Sequence, residues 1–231
     1  MKEEVKKTRI INNIVKPFFN EEKMEIGVDE VGRGPLFGRV YAAAVILPKD
    51  DTFDHSKMKD SKKFHSKKKL IDTAEYIKEK AITWSVHYED EKTIDEINIL
   101  QATQKTMHKC IDSIIKNTDF KKENTLLLID GNYFKTFTYF NKENKRFEQL
   151  EHTCIEGGDN KYSAIAAASI LAKVERDKYI EDLCGEYPDL IEKYSLDTNK
   201  GYGSKKHIDG IKEHGITIWH RRSFGICSSF V

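Results

Sequence analysis

The chain has 231 residues, 39% hydrophobic and 33% charged, with 39 Lys+Arg against 38 Asp+Glu for a net charge of +1. That length and apolar share suit one or two domains with a true core, and they argue against disorder, which needs fewer apolar residues and a large charge imbalance. The longest unbroken apolar run, Val40–Leu47, is far below a membrane span of roughly 18 residues, and the N-terminus mixes acid with base instead of carrying an apolar signal core.

In chain order, residues 1–23 read as a peripheral lead-in. Ile10, Ile11, Ile14, Val15, Phe18 and Phe19 recur there at helical spacing. Residues 24–231 read as one domain, since no repeat, Pro-rich linker or Gly/Ser tract divides them. Met24–Val31 and Val40–Leu47 are predicted strands around a Gly/Pro-rich turn. Ser66 is a natural N-cap for a helix with Leu70, Ile71, Ala74 and Ile77 on one face. Ile82, Trp84, Val86 and Tyr88 alternate as in a strand. Thr93–Asn117 has helical periodicity. Thr125–Asp130, TLLLID, is a strand apolar enough to be buried on both faces. Lys161–Leu183 is a second long helix, whose segment AIAAASILA allows close packing. Strands interleaved with helices predict an α/β layer structure.

Four cysteines, Cys110, Cys154, Cys184 and Cys227, lie 30 to 44 residues apart with no CxxC pair. This spacing gives neither a zinc site nor a dense disulfide framework, so free thiols in a reducing, cytoplasmic compartment are expected. Charge is uneven despite the neutral total. His55–Lys69 holds seven lysines against one acid, and Thr198–Val231 holds six Lys/Arg against two acids. Two basic stretches suggest a polyanionic partner; a solvated surface is the plainer account of each alone.

The acids stand where a ligand would collect. Asp29 and Glu30 end the first strand, and adjacent strand residues face opposite sides, so one of them is driven toward the core. A buried carboxylate without a cation costs several kcal/mol. Asp130 ends the apolar strand TLLLID, and in open α/β sheets ligands gather at the carboxyl ends of strands. Asp159 follows two glycines and opens the last long helix, where free N–H groups favour an anion. Four such acids beside basic stretches suggest divalent cations and a phosphodiester. Hard oxygen ligands suit Mg²⁺ or Mn²⁺, and two ions about 3.5–4 Å apart can serve in-line phosphoryl displacement. No HxxxH pair supports a zinc hydrolase. Gly32, Gly34 and Gly38 come near a dinucleotide fingerprint, but the third glycine is late, a strand follows, and there is no GK[ST].

These segments carry a resemblance. GVDEVGRGPLFG (Gly27–Gly38), DSKK (Asp60–Lys63), IDG (Ile129–Gly131), GGD (Gly157–Asp159), SAIAAASILAKVERD (Ser163–Asp177), NKGYGSKKH (Asn199–His207) and HRRSF (His220–Phe224) resemble, in order, the motifs of the type 2 ribonucleases H, ribonuclease HII. The resemblance implies a ribonuclease H-like fold, a mixed central sheet flanked by helices with a helical C-terminal extension. It implies an endonuclease acting on RNA–DNA hybrids and on single ribonucleotides in duplex DNA. Asp29, Glu30, Asp130 and Asp159 would be the catalytic, metal-binding set for two Mg²⁺ or Mn²⁺ ions. Gly32, Arg33, Gly34 and Tyr202 would read the RNA–DNA junction, and Lys62 and Lys63 would hold phosphates. A monomer is expected. Ribonuclease HIII is the related alternative, disfavoured by Arg33, and a catalytically dead hybrid binder is disfavoured by the presence of all four acids. Phe37, Arg39 and Gly157 depart from the family's usual residues, which puts the turn's shape and one phosphate interaction in question. The ending GICSSFV has no evident clamp-binding anchor.

Overall fold

The computed structural model describes residues 15–118 and 120–231. Its centre is a five-stranded sheet built from β1 (Met24–Val31), β2 (Val40–Ile46), β3 (Thr83–Glu89), β4 (Thr125–Asp130) and, later in the chain, Glu151–Ile155. Before that last strand, β5 (Thr138–Asn141) and β6 (Arg146–Gln149) form a separate hairpin, so the last strand is β7. The order is β3-β2-β1-β4-β7. β1 runs antiparallel to β2, and β2 to β3, while β1, β4 and β7 are parallel. The sheet is therefore mixed, as expected.

Strand alternation sends Ile26, Val28, Ala42, Ala44 and Ile46 to one face, against Met107, Cys110, Ile111 and Ile114 of α2 (Glu91–Lys116). Ala43 and Val45 point the other way, onto α3 (Ser163–Glu186) and onto α1 (Lys67–Lys80), which Ser66 caps. The alanines of α3 allow that helix to lie directly on the sheet. A β-carbon on Gly27 would stand 2.2 Å from the carbonyl carbon of Ala164, so only glycine fits. A third cluster joins Phe37, Ile180 and Cys184 to α4 (Asp189–Tyr194), α5 (Leu196–Asn199) and α6 (Lys205–His214). This is the helical C-terminal extension, and Cys227 is buried in it.

The structure corrects three details. The proposed lead-in helix falls largely on residues outside the described ones, and residues 15–19 are not helical. Lys16 instead bridges Tyr162: its N–H donates to the carbonyl of Lys161 at 2.8 Å, and its carbonyl accepts from Ser163 at 2.9 Å. Pro17, which disfavours helix in the residue before it, gives the reason. The second correction is that α2 breaks at Asn98, whose φ is +64°; its side chain accepts the N–H of Gln101 and caps the second half. The third is that apolar periodicity does not reveal β5, β6 and β7, whose half-exposed, polar-rich residues carry little such signal.

Candidate active site

Parallel pairing of β1 with β4 puts Val28 opposite Ile129, so Asp29 and Asp130 emerge side by side at the carboxyl ends of the two central strands. Asp29 is 4% exposed; its Oδ1 accepts the N–H of Glu30 at 2.7 Å. Asp130 Oδ1 accepts the N–H of Gly158 at 2.6 Å. That bond draws in the short 3₁₀ turn Gly158–Asn160, which carries the buried Asp159. Asp159 is thus one turn ahead of α3, whose N-cap position is Tyr162, and does not open that helix as expected. Glu30 is half-buried and faces Arg33 at 3.5 Å.

Burial raises the pKa of all four carboxyls. Asp29 is raised furthest, by desolvation and then by the charges of Glu30 and Asp130; a hydrogen bond from Ser169 opposes them. Asp130 is raised by burial, against amide hydrogen bonds from Gly158 and Asp159 and the charge of Lys62. Asp159 is raised by burial and by Asp130 and Asp60. Glu30 is raised by burial, with Arg33 opposing. Neighbouring carboxylates add to burial at Asp29, Glu30 and Asp159, each disfavouring the charged form of the next. Among the described residues, no three His, Cys, Asp or Glu side chains form a ready-made metal cage.

The expected reading residues lie alongside. Gly32 has φ +92°, and a β-carbon there would meet Arg176 Nε at 2.3 Å, so this position admits glycine alone. Gly34 lies under the ring of Tyr202, whose Cε1 would be 3.7 Å from a β-carbon on it. Tyr202 is 46% exposed. Lys62 bears on Asp130 and Asp159 by charge. Lys63 donates to Asn160 Oδ1 and is less free. Phe37 is fully buried, its ring 5.0 Å from that of His220, so it anchors the turn to the C-terminal helices. Arg39 stacks its guanidinium 4.0 Å above Tyr88 and 4.3 Å above Tyr179.

A family model described as Ribonuclease HII matches residues 26–227. The chain belongs to the ribonuclease HII family. Ribonuclease HII of Phocaeicola vulgatus is 42% identical over 210 residues, 91% of this chain and 93% of its own length. Ribonuclease HII of Bacteroides fragilis is 43% identical over the same coverage. Among solved structures, the ribonuclease H2 of Pyrococcus horikoshii OT3 aligns with TM-score 0.66 at 20% identity, over 89% of this chain and 96% of that one. The Mn²⁺ complex of Bst-RNase HIII aligns with TM-score 0.61 at 18% identity, over 90% and 68%. The structural likenesses carry the fold, and the sequence matches make the chain a ribonuclease H-family endonuclease, hence a hydrolase.

Within this ribonuclease HII scaffold, several residues that sequence reasoning did not single out also line the site. Asp60 is 8% exposed and accepts from Asn160 Nδ2 at 3.3 Å, while Asn160 also donates to Asp159 Oδ1 at 2.9 Å. Ser61 Oγ and Ser169 Oγ are 3.1 Å apart. Asp60 and Ser61 open the DSKK motif, where the lysines drew attention away from them. Ser169 is one small residue in an alanine run, and no signal marked it.

Proposed function

We propose that the chain cuts the RNA strand of RNA–DNA hybrids and nicks duplex DNA at single embedded ribonucleotides, leaving 5′-phosphate and 3′-hydroxyl ends. The observation that carries this reading is the side-by-side emergence of Asp29 and Asp130 at the central strand ends. Asp29, Glu30, Asp130 and Asp159 are the catalytic set and would hold two divalent ions, Mg²⁺ or Mn²⁺. The donor chemistry fits: all four are hard oxygen ligands, and their crowded buried charge is what a dication relieves. Such ions supply, when bound, the Lewis acidity for in-line phosphoryl displacement. The Mn²⁺ seen in Bst-RNase HIII supports this at the level of fold.

The chain's own residues do the positioning. Among the described residues, the N–H groups of Gly32, Arg33 and Gly34 reach no protein acceptor, so they are available to a 2′-hydroxyl in a minor groove, where RNA differs from DNA. Tyr202, packed over Gly34, offers a flat face to the deoxynucleotide that follows. Lys62 meets a phosphate of the bound strand next to the acids, and Lys63 and Arg33 add further positive charge without reading sequence. Asn160 holds Asp159 in place. The catalytic unit is residues 24–231, with 1–23 as lead-in, and it works as a monomer.

Four free cysteines fit a cytoplasmic enzyme, and no described helix is long and apolar enough to cross a membrane. A PCNA complex is known for the RNase HII of Archaeoglobus fulgidus; residues Gly225–Phe230 here form a 3₁₀ turn with Cys227 buried, and offer no support for such docking. The test is duplex DNA carrying one ribonucleotide, incubated with Mg²⁺ or Mn²⁺. A nick on the 5′ side of the ribonucleotide is expected. An uncut duplex, or a 2′,3′-cyclic phosphate product, would overturn the proposal.

A further inference from the structure

We infer that the dipeptide His220-Arg221 is a positioning element that sets the two ribonucleotide-reading turns, Gly32–Gly34 and Tyr202, against each other. The inference rests on the proposed reading of those turns. Arg221 is fully buried, and its guanidinium is directed at the glycine turn. Nε donates to the carbonyl of Gly38 at 2.8 Å, one terminal nitrogen to that of Arg33 at 3.0 Å, and the other to that of Gly32 at 2.6 Å. The main chain joins in: the N–H of Arg221 donates to Leu36 at 2.8 Å, and the N–H of Gly38 donates to Trp219 at 2.9 Å. Carbonyls of the turn are thereby drawn inward.

His220 governs the other turn through a second ring. Its Nδ1 accepts the N–H of Thr217 at 2.9 Å, so that nitrogen carries no proton. The proton of the neutral ring is then on Nε2, 3.1 Å from Nε2 of His207. His207 must accept there, which leaves its own proton on Nδ1, donated to the carbonyl of Tyr202 at 2.9 Å. The hydrogen bonds run one way, from Thr217 through His220 and His207 to Tyr202. Burial keeps both rings neutral.

Arg176 braces the same pair of turns, donating to Phe37, Arg39 and Lys200, with its guanidinium carbon 5.9 Å from the Tyr202 ring centre. All six bonds made by the two buried guanidinium groups end on main-chain carbonyls of residues 32–39 and 200. Buried charge is a poor source of plain stability compared with apolar packing. Its concentration on two substrate-facing turns marks a role in their geometry.

The experiment compares wild type with His207→Phe, His207→Asn and Arg221→Lys. Each is assayed for kcat/KM on a single-ribonucleotide duplex and on a long hybrid. Metal-free binding of the single-ribonucleotide duplex is measured against the all-DNA duplex by fluorescence anisotropy, and folding is followed by thermal melts. His207→Phe and Arg221→Lys should lose single-ribonucleotide preference by about ten- to hundredfold, the scale of a misplacement near 1 Å. His207→Asn, which can restore a donor to Tyr202, should recover most of it. Folded variants with unchanged preference, or with equal loss on both substrates, would overturn the inference. Arg221→Lys tests the arginine of the dipeptide directly, and the His207 variants test its histidine through the ring that His220 bonds, so a folding failure in either position leaves the other to decide. A wild type that does not distinguish the ribonucleotide duplex from all-DNA would instead sink the proposed function itself.

Discussion

Asp130 takes the N–H of Gly158 at 2.6 Å, and this bond fastens the end of β4 to the turn that carries Asp159. Asparagine can keep that bond through its own carbonyl oxygen while giving up the charge. Asp130→Asn weakens the metal coordination proposed for it and should therefore abolish cleavage, yet melt at the same or a higher temperature than wild type in EDTA, because one repelling charge is gone. Mg²⁺ should raise the wild-type melting temperature more than the mutant's, since a ligand stabilises by mass action. Thermal melts with and without metal, beside one cleavage assay, check both halves. A large loss of stability in EDTA would mark Asp130 as a structural turn residue.

Tyr202→Ala should weaken cleavage at a single ribonucleotide more than cleavage of a long hybrid. Tyr202→Phe should do less harm, because stacking on an aromatic face contributes roughly 1–3 kcal/mol per base. Equal losses on both substrates in the alanine variant would remove Tyr202 from junction reading.

Replacing Lys62 and Lys63 together with alanine should flatten the salt dependence of binding, by about 0.9 in log–log slope for each phosphate that is no longer neutralised. The single variants should differ. Lys62 lowers the pKa of Asp130 and Asp159 by its charge, so Lys62→Ala should move the acid limb of the pH–rate profile upward. Lys63 is tied to Asn160, and Lys63→Ala should leave that limb in place. An unmoved salt slope in the double variant would return both lysines to solvated surface.

Burial, with His207 beside it, pushes His220 down to about 3. A histidine held neutral in the fold binds fewer protons than in the unfolded chain between its ordinary value near 6.5 and the folded value. Its stabilising contribution is therefore complete above about pH 6.5 and fades as the pH falls toward 3, by about 1.4 kcal/mol per pH unit at most. The site carboxyls, raised by burial, oppose this trend. His220→Asn should accordingly show a shallower loss of melting temperature between pH 6 and about 4 than wild type. Parallel curves for the two proteins would contradict the neutral pair.

Gly27→Ala should be among the most damaging small substitutions in the chain, because its methyl group would enter the main chain of Ala164. Overpacking of this kind costs about 1–3 kcal/mol or more, a drop in melting temperature of roughly 5 °C or beyond. An unchanged melt would mean that α3 can slide on the sheet.

Much of this architecture was legible because its signals are local. TLLLID reads as a central strand on its own, Ser66 announces a helix, and the alanine run foretells close packing. The order of the motifs also groups the four acids, Tyr202 and the lysines. What escaped is what depends on distant partners. Asp60 meets Asn160 across a separation of 100 residues, and nothing within DSKK points to that pairing. Buried arginines and histidines are equally silent, since a sequence shows a charge or a ring but not the carbonyls it will face. β3 shows the same limit: its alternating Trp84, Val86 and Tyr88 gave the right period, yet the neighbouring Ser85 and Glu89 are the buried positions.

The guanidinium that fixes the glycine turn is added 189 residues after Gly32. On a ribosome adding about 5–20 residues per second, the turn would be made roughly ten to forty seconds before its brace. Late in that interval the five strands and all four acids have been made, while the turn proposed to read the ribonucleotide still lacks its brace. If Arg221 sets that turn as inferred above, a nascent chain stalled before residue 221 would hold its acids but not its choice of substrate.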